Sequence, residues 1–265
     1  MMEYGHGGDI YRNRNVELDF SVNVNPLGMP NFVWEAAQRS IAFCTGYPDS
    51  SCENLRGRLS EVTGVPEDQM IFGNGAAELI FRLVQEVRPK KAVIPAPSFA
   101  EYETALRSCG TEIAFFYLKE AESFFLNVSE FLDFLRTEQP EIIFLCTPAN
   151  PTGAIIRQAD LSKILDYCKK HGILLVLDEC FVEFLDEERS CGCIREFLDW
   201  ETGRPEHGGN LFLLRAFTKT YAMAGLRLGY GFCTSRELLD RLGTNWRSWR
   251  RKRDMRHFRK NGFLF

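Results

Sequence analysis

The sequence lacks a long hydrophobic run: no apolar stretch among its 265 residues approaches the roughly 20 residues that a membrane-spanning helix needs. Its first residues contain neither the basic nor the apolar region of a signal peptide. The formal net charge of -4 lacks the positive excess that nucleic-acid-binding proteins carry. We therefore expect a cytoplasmic protein that binds neither a membrane nor nucleic acid.

The nine cysteines also lack the pattern of a disulfide framework or a metal site. They are odd in number and scattered, and Cys146, Cys180 and Cys233 lie within apolar runs, which is typical of reduced core cysteines. Cys191 and Cys193 are too closely spaced for the usual zinc pattern, and no second pair of cysteines or histidines accompanies them. We expect no bound metal.

Apolar segments alternate with amphipathic segments along most of the chain. The apolar segments are continuous, which is typical of strands buried on both faces of a parallel sheet. The predicted strands are 70–72, 91–95, 112–117, 142–146, 173–177, 211–214 and 229–232, and the predicted helices are 31–42, 51–63, 76–87, 98–109, 128–137 and 158–171. The pattern predicts one large α/β domain with a mostly parallel sheet and helices on both faces.

In such sheets ligands bind beyond the carboxyl ends of the strands, which brings the loops 147–153, 178–181 and 217–220 together. Lys219 lies in the last of these loops, among small and hydroxyl residues. Partial enclosure would remove its hydration, lower its pKa and leave a neutral amine that can attack a carbonyl. A surface lysine after a strand is the alternative interpretation.

Two more loop residues carry chemistry. Asn150 lies between prolines in a stiff loop, so its amide is held where it can donate to a phenolate-like oxygen. Asp178 ends an apolar strand, where a carboxylate is poorly solvated and needs a partner such as a protonated pyridine nitrogen. The alternatives are a simple turn for Asn150 and a cap or a structural ion pair for Asp178.

A glycine turn at 73–75 leads a strand into a helix N-terminus, where free N–H groups favour a phosphate. Alone, this signal also fits a purely structural turn. Arg227 follows Lys219 by eight residues and offers a planar fork suited to a phosphate oxyanion. Together the amine, the acid, the amide and the phosphate groups match what pyridoxal 5′-phosphate requires.

On these residues the chain resembles the class I/II aminotransferase superfamily, the fold type I pyridoxal-phosphate enzymes. It is most similar to the histidinol-phosphate aminotransferase-like branch and, within that branch, to threonine-phosphate decarboxylases. The motifs that carry the resemblance are 23–28, 46–49, 73–78, 97–99, 150–153, 178–179 and 218–230. They cover most of residues 5–240. His6, Gly7, Gly8 and Phe181 favour the decarboxylase group.

The resemblance implies an aspartate aminotransferase-like large domain and a role for each matching residue. Lys219 would bind the cofactor covalently, and Asp178 would pair with the pyridine nitrogen. Asn150 would bind the ring hydroxyl, and Phe99 would stack on the ring. The residues around the phosphate would be Gly75, Ala76, Ala77, Thr218 and Arg227.

Three more positions follow from the resemblance. Tyr47 would reach the phosphate of the neighbouring subunit, so the site would need a homodimer. Asn25 would lie where the N-terminal arm approaches the substrate. Phe181 departs from the aminotransferase pattern, in which a tyrosine hydroxyl helps to hold the ring oxygen.

We divide the chain into an N-terminal arm (1–30), a large domain that binds the cofactor (31–242) and a basic segment (243–265). The last segment carries eight Lys or Arg residues and one acidic residue, an abrupt change where the family pattern stops. We expect a frameshifted or truncated gene product that lacks the C-terminal small domain of the family. A solvated basic helix and a nucleic-acid-binding tail are the alternatives.

The expected activity is decarboxylation of O-phospho-threonine, in the synthesis of the corrinoid side chain of cobalamin. The first alternative is transamination of histidinol phosphate or a similar phosphorylated amine, because the cofactor residues are shared. The second is a non-catalytic remnant of the large domain.

Overall fold

The computed structural model describes residues 7–8, 13, 15–185 and 209–243. Its strands form a single mixed sheet. The strands are β1 (Met70–Asn74), β2 (Lys91–Ala96), β3 (Glu112–Tyr117), β4 (Ile142–Cys146), β5 (Leu174–Asp178), β6 (Leu211–Ala216) and β7 (Leu228–Cys233). The α-helices are α1 (Asn31–Ser40), α2 (Glu53–Thr63), α3 (Ala76–Val87), α4 (Ala100–Ser108), α5 (Val128–Glu138), α6 (Gln158–His171) and α7 (Phe217–Thr220). Short 3-10 turns lie at Ile41–Phe43, Glu67–Gln69, Glu120–Glu122, Val182–Phe184 and Ala224–Leu226. Residues 236–243 are also helical.

The sheet has the strand order β1-β7-β6-β5-β4-β2-β3. The strands from β6 to β3 in this order pair in parallel, whereas β7 is antiparallel to both β6 and β1. In the register of the central strands, Cys146 lies beside Asp178, and Asp178 lies beside Leu214. The carboxyl ends of β4, β5 and β6 therefore meet at one edge of the sheet.

Helices cover both faces of the sheet, and each face has its own core. One core packs Phe131 of α5 and Ile164 of α6 against the sheet. The other packs Leu83 of α3 and Leu106 of α4 against the opposite face. Burial of these apolar side chains is the main favourable contribution to folding. The predicted fold class, a mostly parallel sheet with helices on both faces, is confirmed.

The predicted elements are all present, with small shifts at their ends. The bounds of α3, β3, β4 and α6 agree with the prediction. The region 217–220, predicted as a loop, is the short helix α7. Strand β1 is longer than predicted because it continues through Gly73 and Asn74, where it pairs with β7.

Several sequence predictions concern residues outside the described part of the chain. They are His6, Cys191, Cys193 and positions 244–265 of the basic segment. Among the described residues, Cys180 and Cys233 are buried as predicted, Cys146 is only partly buried, and the described cysteines are free thiols. No helix in the described ranges is long and apolar enough to cross a membrane.

Candidate active site

A cavity opens at the carboxyl ends of β4, β5 and β6, beside the start of α3. Nine residues predicted for cofactor binding line it: Gly75, Ala76, Ala77, Phe99, Asn150, Asp178, Thr218, Lys219 and Arg227. The other lining residues are Tyr102, Cys146, Cys180, Phe181 and Ala216.

Asp178 is held at the end of β5 with only 5% of its surface exposed. The Tyr102 hydroxyl donates to Asp178 Oδ2 at 2.7 Å, and the Cys180 N–H donates to Oδ1 at 2.9 Å. Burial raises the pKa of this carboxyl, while the hydrogen bonds from Cys180 and Tyr102 and the charge of Lys219 act in the opposite direction. A cationic group bound in the cavity would stabilise the ionised form.

Lys219 lies on α7, directly after β6, and its side chain lines the same cavity. Its Nζ atom is 5.8 Å from the centre of the Phe181 ring. Burial lowers the pKa of the amine, and the charge of Arg227 lowers it further, against the opposing charge of Asp178. The neutral, nucleophilic amine is therefore more populated near neutral pH than in an ordinary lysine.

The start of α3 and Arg227 form one wall of the cavity. Gly75 precedes the helix with φ 79° and ψ 166°, a conformation that is essentially restricted to glycine. A Cβ atom at this position would lie 2.5 Å from Arg227 Nη2, so glycine lets the guanidinium approach the helix N-terminus. Arg227 donates to Ala224 O at 3.2 Å and to Asn74 O at 3.4 Å. The first N–H groups of a helix have no partner within it, which makes this wall suited to an anion.

Asn150 and Phe99 reach the cavity from the loops that follow β4 and β2. The Asn150 loop is closed by hydrogen bonds from Ala149 N–H to Ala154 O at 2.8 Å and from Gly153 N–H to Ala149 O at 2.7 Å. The Phe99 ring contacts the Tyr102 ring edge-on, with 5.6 Å between their centres. The structure thus brings an amide and an aromatic ring to the cavity that contains Asp178 and Lys219.

Two predicted site residues lie outside this cavity. Asn25 is in the N-terminal arm and donates hydrogen bonds to the backbone carbonyls of Lys219 and Thr220. Tyr47 is 90% exposed. The substrate contact of Asn25 and the inter-subunit contact of Tyr47 stay predictions.

Sequence reasoning missed Tyr102, which holds the carboxylate of Asp178. The available signal was its spacing of three residues from Phe99 at the start of a helix, since residues three apart lie on one helix face. Cys146 and Cys180 were predicted only as core residues, yet both line the cavity. Burial raises the pKa of both thiols well above the ordinary value, so they stay protonated.

A buried charge pair lies next to Asp178 in the sequence. The Arg215 guanidinium donates to Glu179 Oε2 through Nε at 3.0 Å and through Nη2 at 2.6 Å. The side chain of Glu179 is fully buried, and that of Arg215 is 11% exposed. This pair joins the ends of β5 and β6, the strands that lead to Asp178 and Lys219.

The chemistry of the donor set fits pyridoxal 5′-phosphate. The cavity offers an amine whose charge is disfavoured by burial, and a carboxylate that a ring cation would stabilise. It also offers the N-terminus of α3 beside the Arg227 guanidinium. A Cβ atom at Gly75 would come too close to this guanidinium. The fold and the site are those of an α/β domain with a cavity suited to this cofactor.

Residues 15–250 match the family described as "Aminotransferase class I and II", and the chain therefore belongs to this family of pyridoxal-phosphate enzymes. The chain is 38% identical over 232 residues to a threonine-phosphate decarboxylase of Salmonella typhimurium, an alignment that covers 85% of this chain and 60% of that protein. It is 30% identical over 233 residues to the adenosylcobalamin biosynthesis bifunctional protein CobDQ of Leptospira interrogans, covering 84% of this chain and 25% of that protein.

Among solved structures, the chain is similar to the histidinol-phosphate aminotransferase of Clostridium acetobutylicum. The TM-score is 0.73 at 26% identity, and the match covers 85% of this chain and 63% of that chain. The chain therefore spans a little over three-fifths of this enzyme and 60% of the Salmonella decarboxylase.

Proposed function

We propose that this chain is a pyridoxal-phosphate-dependent decarboxylase of a phosphorylated amino acid, O-phospho-threonine, and that it acts in cobalamin biosynthesis. The observation that carries the proposal is that Lys219 and Asp178 line one cavity with the start of α3 and Arg227. The similarity to a threonine-phosphate decarboxylase and to an adenosylcobalamin biosynthesis protein supports the choice of substrate.

Pyridoxal phosphate, when bound, supplies an electron sink for negative charge at the substrate α-carbon. Asp178 would hold a proton on the pyridine nitrogen, and Asn150 would donate to the ring oxygen. The Lys219 Nζ atom would bind the cofactor and, once released, would deliver a proton to the α-carbon after carbon dioxide has left. Arg227 and the first N–H groups of α3 would bind the cofactor phosphate.

The absence of a tyrosine hydroxyl from one position of the cavity wall supports decarboxylation over transamination. Phe181 lines the cavity where the aminotransferase pattern has a tyrosine, so the ring oxygen loses one hydroxyl donor. Phe181 lies beside the Lys219 amine, whose Nζ atom is 5.8 Å from the centre of its ring.

The second candidate function is transamination of histidinol phosphate or a similar amine. It is favoured by the structural similarity to a histidinol-phosphate aminotransferase. In this reaction Lys219 would move the proton of the α-carbon, and the carboxylate bond, where one is present, would stay intact.

Product analysis separates these functions. The 265-residue chain, mixed with pyridoxal 5′-phosphate, is incubated with O-phospho-L-threonine and, separately, with histidinol phosphate and a 2-oxo acid. We expect carbon dioxide from the first mixture and no activity in Lys219→Ala, while Lys170→Ala, a change in the last turn of α6, stays active. An amino acid formed from the 2-oxo acid, without carbon dioxide, would support the aminotransferase instead.

Cofactor binding tests the third possibility, a non-catalytic remnant of the large domain. Covalent binding by Lys219 gives pyridoxal phosphate a visible absorbance band, and we expect this band in the wild type and not in Lys219→Ala. A wild-type chain without the band would overturn the proposed function. We also propose that the chain forms a homodimer, in which Tyr47 of each copy completes the phosphate site of the other.

A further inference from the structure

The turn that carries Lys219, residues 217–222, is held by the N-terminal arm. The Asn25 N–H donates to Lys219 O at 3.0 Å. The side-chain amide of Asn25 donates from Nδ2 to Thr220 O at 2.9 Å. These two bonds tie a residue of the arm to successive carbonyls of the turn, 195 positions further along the chain.

Asn25 is itself fixed by its own loop. Its Oδ1 atom accepts the Leu27 N–H at 3.0 Å, and its carbonyl accepts the Gly28 N–H at 3.1 Å. Gly28 has φ 79°, which closes this turn without the strain that a side chain would add. Because Oδ1 faces an N–H donor, the amide is oriented with Nδ2 toward Thr220 O.

The Lys219 turn needs donors from outside because α7 has only four residues. The last carbonyls of a helix have no partner within it. Lys219 O also accepts the Ala222 N–H at 3.2 Å, but Ala222 reaches this bond in a left-handed conformation, with φ 46°. A non-glycine residue adopts this conformation only when its surroundings hold it there.

Helix α1, which follows the arm, makes a second contact with the same turn. The Phe32 ring of α1 packs edge-on against the Tyr221 ring, with 6.3 Å between their centres. Among the described residues of the arm, Phe20 is 88% exposed and Leu27 is 91% exposed. In this described part, the contact between the arm and the turn is therefore centred on Asn25.

We propose that Asn25 is a positioning residue, which holds the carbonyls of Lys219 and Thr220 and thereby fixes the direction in which the Lys219 side chain enters the cavity. The inference rests on the proposed function in one respect, namely that Lys219 is the reacting amine. It is a role in addition to the predicted substrate contact of Asn25, because Oδ1 and Nδ2 each have one protein partner and each can form one more hydrogen bond.

Two variants separate the parts of this contact. Asn25→Asp keeps the oxygen that accepts the Leu27 N–H but replaces the donor to Thr220 O with an acceptor. Asn25→Ala removes both side-chain bonds. Asn210→Ala is the matched control, because Asn210 Nδ2 donates to Ile173 O at 3.0 Å at the opposite end of the sheet.

The measurement is the pH profile of Lys219 acetylation by acetic anhydride, read by peptide mass mapping on the cofactor-free chain. In parallel, modification of Lys219 by pyridoxal 5′-phosphate is trapped with borohydride. Loss of the Asn25 side-chain hydrogen bond to the turn lets the Lys219 amine move toward solvent, where its charged form is better hydrated. We expect the acetylation midpoint of both Asn25 variants to rise by about half to one pH unit, which leaves about three- to tenfold less neutral amine at pH 8.

The outcomes are distinct. A midpoint that stays at the wild-type value in both variants overturns the positioning role, and so does an equal rise in Asn210→Ala. A rise in Asn25→Ala alone also overturns it, because the Leu27 contact would then be responsible. A wild-type chain that is acetylated at Lys219 but not modified by pyridoxal phosphate contradicts the proposed function, while a raised midpoint in both Asn25 variants still supports the positioning role.

Discussion

The Tyr102 hydroxyl donates a 2.7 Å hydrogen bond to Asp178 Oδ2, and both side chains are buried. The Tyr102 ring is fixed by stacking on Phe144, with 4.9 Å between the ring centres, and by edge-on contact with Phe99. The Cys180 N–H donates to the other carboxylate oxygen of Asp178, Oδ1. The carboxylate is therefore oriented from two sides before any ligand binds, as preorganised electrostatic sites require.

Replacing Tyr102 with phenylalanine tests this orientation. Tyr102→Phe keeps the packing of the ring but removes the donor that stabilises the ionised carboxylate of Asp178. A hydrogen bond to a charged group contributes about 1.5–3 kcal/mol, so we expect the affinity for pyridoxal 5′-phosphate to fall about ten- to hundredfold. Absorbance titration measures this affinity. Tyr167→Phe, at a ring that stacks on His171 instead, is the control, and equal affinities for both variants would contradict the role of Tyr102.

Asp178 links cofactor binding to the pH dependence of stability. Because burial raises the folded-state pKa, the native chain binds more protons than the unfolded chain between the ordinary and the raised pKa. The wild type without cofactor therefore loses stability as pH rises through that window, by about 1.4 kcal/mol for each unit of pKa increase. The loss is complete above the raised pKa and absent below the ordinary one.

Asp178→Asn removes this pH dependence. Without cofactor, we expect the variant to be more stable than the wild type at pH 8 and equally stable below about pH 4, near the ordinary pKa of an aspartate. Added pyridoxal 5′-phosphate should raise the melting temperature of the wild type more than that of the variant. Thermal unfolding across pH measures both effects, with Asp133→Asn as an exposed control. A variant that is less stable than the wild type at every pH, with unchanged cofactor stabilisation, would argue against this account.

The sequence was sufficient to predict the main elements because their patterns are long and regular. The continuous apolar run of β4 and the helical periodicity of α6 each admit one interpretation, and both have the predicted bounds. Helix α7 was missed because four residues are too few for a periodicity to show. The extension of β1 through Gly73 and Asn74 depends on pairing with β7, a tertiary contact that local pattern does not contain.

The site residues that lie at the ends of strands could be predicted from the sequence. Asp178 and Lys219 each follow an apolar strand, and parallel pairing brings those ends together. Tyr102 and Asn25 were harder to assign, because their roles depend on contacts with residues 76 and 195 positions away. An aromatic residue on an amphipathic helix fits a core position equally well, and an asparagine before a proline fits a simple turn.

Gly75 is expected to matter for phosphate binding as well as for stability. Gly75→Ala places a Cβ atom 2.5 Å from Arg227 Nη2 and forces a glycine-type backbone on alanine. The backbone strain costs about 1–3 kcal/mol of unfolding free energy. Because the guanidinium must move, we also expect affinity for pyridoxal 5′-phosphate to fall at least tenfold, while affinity for pyridoxal, which has no phosphate, stays within about twofold.

Gly110→Ala separates these two effects, because Gly110 has φ 74° but open space where a Cβ would lie. This control should lower the unfolding free energy in urea and leave the affinities for both ligands unchanged. Equal losses of pyridoxal and pyridoxal 5′-phosphate binding in Gly75→Ala would show that the change acts through general destabilisation rather than through Arg227.

The last prediction concerns a second copy of the chain. The segment around α1 exposes large apolar side chains: Phe32 is 65% exposed, Phe43 is 77% exposed and Tyr47 is 90% exposed. Exposed large apolar side chains are typical of interaction sites, and the proposed homodimer would cover these. We expect Phe43→Asp to weaken the dimer in sedimentation velocity and to lower the affinity for pyridoxal 5′-phosphate with it.

Tyr47→Phe tests the proposed contact itself, because it keeps the ring and removes only the hydroxyl. We expect this variant to stay dimeric and to lose about tenfold or more in affinity for pyridoxal 5′-phosphate, the cost of one hydrogen bond to a charged group. Val62→Asp, at another exposed apolar residue, should change neither property. A monomeric wild type that binds the cofactor with the same affinity as Tyr47→Phe would exclude the shared site, because the start of α3 and Arg227 would then bind the phosphate within one copy.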